Sequence, residues 1–186
     1  MSHPQPAQPA KLVIGAIVKD RSLLESVADE LVRNFGPLDL ISPWYSFDYT
    51  TYYDEEMGAP LQRRLLVFQN LIFQEELVRV KLGTNALEQS LAVRGARRVN
   101  LDPGYLLLER FVLATGKNFS HRIYLGQGIY ADLTLIYQQG AFQTLPWTYP
   151  DYATQRIRGF LLQARRRYRE DLKCPARPLL AEGAPS

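Results

Sequence analysis

The chain is poor in the residues that build metal and redox sites. It has a single cysteine, Cys174, and two histidines, His3 and His121, in 186 residues. One cysteine excludes an intrachain disulfide and any cysteine-rich metal site. Two histidines so far apart leave no zinc-ligand spacing, so no metal site is expected, and nothing points to a particular cofactor. No apolar run approaches the roughly 20 residues of a membrane-spanning helix. The opening MSHPQPAQPA lacks the basic start and apolar stretch of a secretory leader. A cytoplasmic setting with no membrane partner is expected. Charge of one sign is scarce too: the net charge is +3, and the basic excess sits mostly in one C-terminal helix. It therefore says little about the rest of the surface.

Tyrosine is plentiful, with 11 residues. Each buries a ring and keeps a hydroxyl for hydrogen bonding, which suits half-buried sheet faces and binding sites. Composition and length fit one globular domain with a real core. That domain is expected over residues 11–173, between a Pro/Gln/Ala tail at 1–10 and a Pro/Ala tail at 174–186.

Periodicity gives the elements. Leu12–Val18 is apolar on both alternating faces, as a doubly covered strand should be. Asp20 and Ser22 offer helix caps, and Ser22 with Glu25 has capping-box spacing. Leu24, Val27, Ala28, Leu31 and Phe35 follow at helical spacing, closed by Gly36-Pro37. Leu38–Tyr53 alternates as one strand, with Tyr45, Phe47, Tyr49 and Tyr53 on one face. Arg64–Phe68 is a second strand apolar on both faces. Leu77, Val80, Thr84, Leu87 and Leu91 mark a helix that Gly83 could interrupt, and Arg98–Leu101 is a short strand. The order βαββαβ is the ferredoxin-like pattern. Its central strands are the first and third, the two that are apolar on both faces here. The fold expected is α+β, a ferredoxin-like core with a C-terminal β-hairpin and a basic amphipathic helix, these additions covering the second sheet face. Glu109–Thr115 fits a short helix or a strand. The last helix is expected over residues 152–172, with Ala153, Ile157, Phe160, Ala164 and Tyr168 inward and its arginines mostly outward.

The hairpin has a preferred register. A three-residue loop, Gly126–Gly128, pairs Leu125 with Ile129, Tyr124 with Tyr130, Ile123 with Ala131 and Arg122 with Asp132. It gathers Arg122, Tyr124, Tyr130, Asp132 and Thr134 on one face and puts His121, Ile123, Leu125, Ile129, Ala131, Leu133 and Leu135 on the other. His121 then reads either as a core-edge histidine with one hydrogen bond or as a general base held by a carboxylate, Asp102 being the nearest candidate. The Arg122–Asp132 pair reads first as structural, since opposite charges across strands stabilise hairpins.

Asn100–Tyr105 (NLDPGY) has the composition of a turn after a strand, with Asp102 as a cap. The functional reading is that Asn100, Asp102 and Tyr105 line a pocket at a strand end. Lys81, Asn85 and Glu88 share one helix side, which is usually a solvated face. The acidic run Asp54–Glu56 likewise reads first as solvated. Gly126–Gly128 fits the start of a dinucleotide fingerprint but precedes a strand, and Gly116-Lys117 has no glycine at 111, so neither is a phosphate cradle.

Several stretches carry a resemblance: FDYTTYYDEEMG (47–58), VKLGTNALE (80–88), RRVNLDPGYL (97–106), LATGKNFSHRIYLGQGIYADLTLIY (113–137) and LPWTYPDY (145–152). Over about residues 11–170 the chain resembles an uncharacterised bacterial family, domain of unknown function 4416. The resemblance implies no established activity. Members are sometimes labelled GTP-binding, and no motif of this chain supports that label. Leu107-Leu108 departs from the family pattern, which has Thr-Pro there.

Two functions are compatible with these residues. One is a small hydrolase or transferase acting on an anionic or phosphate-bearing molecule, a nucleotide included. His121 would be the base and Asp102 its orienter, with Arg122 or Lys81 clamping the anion. Asn100, Ser120, Tyr105 and Asn85 would supply ligand contacts. The other is a non-catalytic module binding RNA or protein through the tyrosine-rich sheet face or the arginine-rich helix.

Overall fold

The computed structural model describes residues 3–173 and is mixed α+β: a nine-stranded antiparallel sheet with four α-helices. The expected tail at 174–186, with Cys174, lies outside the described residues, as do Met1 and Ser2. Among the described residues no helix is long and apolar enough to cross a membrane.

In chain order the elements are β1 (Ala10–Val18), α1 (Leu23–Phe35), β2 (Leu38–Ile41), β3 (Tyr45–Phe47), α2 (Asp54–Met57), β4 (Leu61–Ile72), α3 (Leu77–Ser90), β5 (Val99–Leu106), β6 (Arg110–Thr115), β7 (Arg122–Gly126), β8 (Ile129–Gln138), β9 (Ala141–Thr144) and α4 (Gln155–Asp171). The sheet runs β2-β4-β1-β5-β6-β8-β7, with β3 also beside β4 and β9 beside β8. Every residue of β1 is buried, and β1 and β4 are central. That is why both read as apolar on alternate faces.

The helices flank this sheet. Phe35 of α1 packs edge-on against Phe68 of β4, and α3 lies alongside α1. The opposite face receives α4, whose Asp171 reaches the buried Lys11 of β1 at 2.7 Å. The second-face cover is thus α4. The β7–β8 hairpin covers nothing; it extends the sheet past β6. The hairpin is therefore part of one nine-stranded sheet and not a separate layer over a four-stranded core.

Two local expectations change and two open alternatives are resolved. Leu38–Tyr53 is not one strand: the ladder breaks around Pro43, and the Ser42 hydroxyl takes the Leu65 N–H at 2.9 Å where strand pairing lapses. Asp48–Tyr53 becomes a connection. The turn expected at Asp102–Gly104 is strand interior, because all of β5 pairs with β1, from Val18↔Val99 to Lys11↔Leu106. Gly104 serves there by size, since a Cβ would overlap the carbonyl oxygen of Val112 in β6. Of the two readings open for Glu109–Thr115 the strand is the one found, over Arg110–Thr115, and α3 runs unbroken through Gly83.

The hairpin register holds for Arg122↔Asp132, Ile123↔Ala131 and Tyr124↔Tyr130, but Gly126, not Leu125, opposes Ile129. Leu125 is the bulged residue, and the turn is Gln127-Gly128 with both φ positive (51° and 77°). Since β7 is the sheet edge, Ile123 and Leu125 are exposed while Asp132 and Thr134 of the polar face are buried. Tyr124 of the polar face is exposed as well, and Ile129 and Leu135 of the apolar face are buried, so burial follows distance from the edge strand rather than face.

One feature positions the site. Strand β5 pairs with β6 only over Gly104–Leu106, whereas Ala114 and Thr115 of β6 pair onward with β8. Pro103 has no N–H to give, and pairing with β6 starts just past it. Ahead of Pro103 the two strands part, leaving the outer edge of β5 without a strand partner. The Leu101 peptide is satisfied by α3 instead: Lys81 Nζ donates to its carbonyl at 2.9 Å, and Glu88 accepts from its N–H at 2.6 Å. Two side chains one helix face apart stand in for a strand, which is why both are buried.

Candidate functional site

The parting of β5 and β6 opens a cavity of about 660 Å³. Lys81, Asn85 and Glu88 of α3 and Asn100 and Asp102 of β5 line it. The connection after β3 contributes Tyr49, Thr50, Tyr52 and Tyr53, and residues 149–152 (Tyr-Pro-Asp-Tyr) close it ahead of α4. Gly15 of β1 lies beneath, where a Cβ would come within 2.9 Å of the Tyr152 hydroxyl.

Arg63 is the electrostatic centre. It is 3% exposed, pairs with Asp102 at 2.6 Å and with Asp151, and stacks over the Phe47 and Tyr152 rings at 5.1 and 4.9 Å. Burial opposes its charge, but the surrounding Tyr152, Asp151 and Asp102 groups outweigh that and raise its pKa. Burial also pushes up the carboxyls of Asp151 and Glu88, despite Arg63 beside the first and Lys81 near the second. At the rim, Arg97 makes a two-pronged pair with Glu56 (2.8 and 2.7 Å) and donates to Asn100 Oδ1 at 3.0 Å.

Among the described cavity-lining residues, Arg63 Nε, Asn100 Nδ2 and the Tyr152 hydroxyl are buried with no well-directed partner inside the protein. Asn100 Nδ2 is buried on a residue 4% exposed, and the Tyr152 hydroxyl is buried beside the Arg63 guanidinium without a directed bond. Both residues line the cavity. Asp102 keeps one oxygen on Arg63, and its side chain is a quarter exposed.

Of the residues expected to form the site, Asn100, Asp102, Lys81 and Asn85 line this cavity; Tyr105, Ser120, His121 and Arg122 do not. Tyr105 is three positions along β5 from Asp102, hence on the opposite sheet face, and is core. Ser120 is exposed in the turn before β7. The His121–Asp102 dyad does not form. His121 also precedes the strand, so hairpin parity does not place it. Its Nε2 lies 3.3 Å from Asp132 Oδ2 and its ring stacks on Trp147 at 4.8 Å, with the tilted Phe119 ring 5.3 Å away. Arg122 is fully engaged, by Asp132 (2.9 Å), the Lys117 carbonyl (2.8 Å) and the Tyr149 hydroxyl (2.7 Å). It braces the cavity's Tyr149 wall from behind.

Arg63, Asp151 and Tyr152 were not expected. Arg63 did carry a signal: it shares strand parity with Leu61 and Leu65, which puts a guanidinium on a buried face and requires acidic partners. Asp151 and Tyr152 lie in a stretch whose composition reads only as turn. Among the described residues no cluster of three or more His, Cys, Asp or Glu side chains could hold a metal ion.

No curated protein and no solved structure matches the chain. Over residues 8–168 it matches the family described as a domain of unknown function (DUF4416). That span holds every cavity residue named above, and the protein belongs to this family.

Proposed function

We propose that the protein recognises a small organic molecule in the cavity between β5 and β6. One observation carries this: Asn100 Nδ2 and Tyr152 Oη are buried at its wall with no directed partner in the protein. Each buried polar group left unpaired costs about 1–3 kcal/mol, and folded proteins leave few. Two at one cavity of drug-like size fit a site that bonds a ligand.

Hydrolysis or group transfer on that ligand is the second reading. It is favoured by Asp102 facing the cavity near Glu88, whose carboxyl burial pushes up. Two carboxyls in unlike environments can divide base and acid roles. Asp102 would be the base and Glu88 the acid, His121 taking no part. The RNA reading is weaker: Arg158, Arg165 and Arg167 of α4 bond the Phe142 and Leu108 carbonyls and Asp39, holding the helix to the sheet. We also assign β1-α1-β2-β4-α3-β5 a ferredoxin-like connectivity; the order β2-β4-β1-β5 and its antiparallel pairing support it.

A thermal-shift screen of wild type against Asp102→Asn with a panel of metabolites tests the site. A ligand at a hundred times its Kd adds about 2.7 kcal/mol, which raises Tm by roughly 5–11 °C. At least one compound is expected to stabilise wild type and to lose that effect in the variant. A panel that shifts neither protein, or both equally, overturns the assignment.

A further inference from the structure

Resting on the ligand-binding reading above, we infer that the cavity takes an uncharged polyhydroxylated ring, either a free sugar or the ribose part of a nucleoside, in preference to a phosphate or carboxylate.

Charge comes first. The lining holds four cationic side chains (Arg63, Lys81, Arg97, Lys117) and four carboxylates (Glu88, Asp102, Asp132, Asp151). The cations are also spoken for. Arg63 is held through its two terminal nitrogens by Asp102 and Asp151, with only its Nε unpartnered, Arg97 by Glu56, and Lys81 by the Leu101 carbonyl. A phosphate would have to displace a carboxylate from a guanidinium and leave that carboxylate buried and unpaired. Among the described lining residues only Lys117 has no such partner. It is exposed at the mouth with its Nζ 4.3 Å over the Tyr52 ring, and one exposed cation binds an anion weakly.

Hydrogen bonding comes second. Asn100 and Asp102 are two positions apart on one face of β5, roughly 7 Å along the strand. One offers an unpartnered donor, the other a carboxylate acceptor. A fully ionised phosphate ester or a carboxylate, which only accepts, satisfies Asn100 and opposes Asp102; an ammonium group does the reverse. A hydroxyl both donates and accepts, so a ring carrying several satisfies both at once.

Shape comes third. Phe47, Tyr49, Tyr52 and Tyr53 form an aromatic wall in which neighbouring rings meet at 5.0–6.0 Å. Flat rings suit the C–H face of a pyranose or furanose, with the Tyr49 and Tyr53 hydroxyls placed to bond its edge and the Tyr52 hydroxyl accepting from Lys117 Nζ at 3.3 Å. The volume has room for a disaccharide or a nucleoside.

Matched probes test this by calorimetry on the full chain: glucose, cellobiose, adenosine and uridine against glucose 6-phosphate, gluconate, AMP and inorganic phosphate. A neutral probe is expected to bind more tightly than its charged counterpart, with an affinity insensitive to salt. Whether a sugar or a nucleoside binds identifies the source of the ring. Asn100→Asp keeps the acceptor used by Arg97 and removes the orphan donor; it should weaken that neutral probe about tenfold or more. Tyr152→Phe removes only a hydroxyl without a directed partner, so it serves as the second variant with the fold preserved, and should weaken binding too. Tighter, salt-sensitive binding of a charged probe overturns the inference and leaves the cavity reading standing. Binding of neither set overturns both, as does a neutral probe indifferent to both variants.

Discussion

Replacing Arg63 by methionine is the most direct challenge to this account of the site. Methionine keeps the length of the apolar stem and removes the charge. The Asp102 and Asp151 carboxylates then face each other with no cation between them. Removing one partner from a buried ion pair costs about 3–5 kcal/mol, because the remaining charge stays buried. A domain has about 5–15 kcal/mol in all, so Arg63→Met should fold marginally, with Tm lowered by roughly 6–20 °C. The loss should depend on pH in one direction. Burial already raises the folded-state pKa of Asp151, and without Arg63 it rises further. A carboxyl raised in the folded state binds its proton more tightly there than in the unfolded chain. Its contribution is favourable below the unfolded pKa of about 3.9 and is lost as pH rises through the folded value. The gap between variant and wild type should therefore be wide at about pH 8 and narrower at about pH 5, measured by urea unfolding at both. Adding Asp102→Asn and Asp151→Asn should recover most of the loss, since a buried pair replaced by neutral groups is often close to neutral. A loss below about 1 kcal/mol at the higher pH, or one that grows on acidification, would show that Arg63 does not hold these carboxylates.

Three further expectations follow from single contacts. His121→Ala loses the stack on Trp147 and the bond to Asp132, roughly 1–3 kcal/mol by chemical unfolding, but should leave the affinity of a cavity ligand unchanged; abolished binding in a folded variant would return His121 to the site. Gly104→Ala forces a Cβ onto the Val112 carbonyl and should cost at least about 1–3 kcal/mol; an unshifted melting curve would contradict the close approach of β5 and β6. Glu88→Gln keeps an acceptor for the Leu101 N–H and removes a carboxyl that burial pushes up. That carboxyl favours the fold below its unfolded pKa of about 4.3 and loses this as pH rises. The variant should therefore gain on wild type from acid to neutral pH, and superimposable profiles of Tm against pH would refute the role given to burial.

The central strands, the end of α1 at Gly36 and most of the hairpin register were legible because each follows from local rules: which faces are apolar, where a positive φ is needed (90° at Gly36), which residues face across a tight turn. The spacing of Lys81, Asn85 and Glu88 was legible too, though not that two of them would be buried. At Asp102–Gly104 a turn-like composition gave way to pairing along the whole of β1, since a central strand imposes its ladder on its neighbour. The sequence by itself determined which positions share a side and that both faces of the central strands are buried, because the periods of strand and helix are local properties of the chain. Only the tertiary structure decided that β5 leaves β6 before Pro103, that α3 fills the missing strand's place at Leu101, and that Asp102 meets Arg63 while His121 meets Asp132. The two side-chain pairings span 11 residues (His121–Asp132) and 39 residues (Arg63–Asp102), and no local period says which side chains meet.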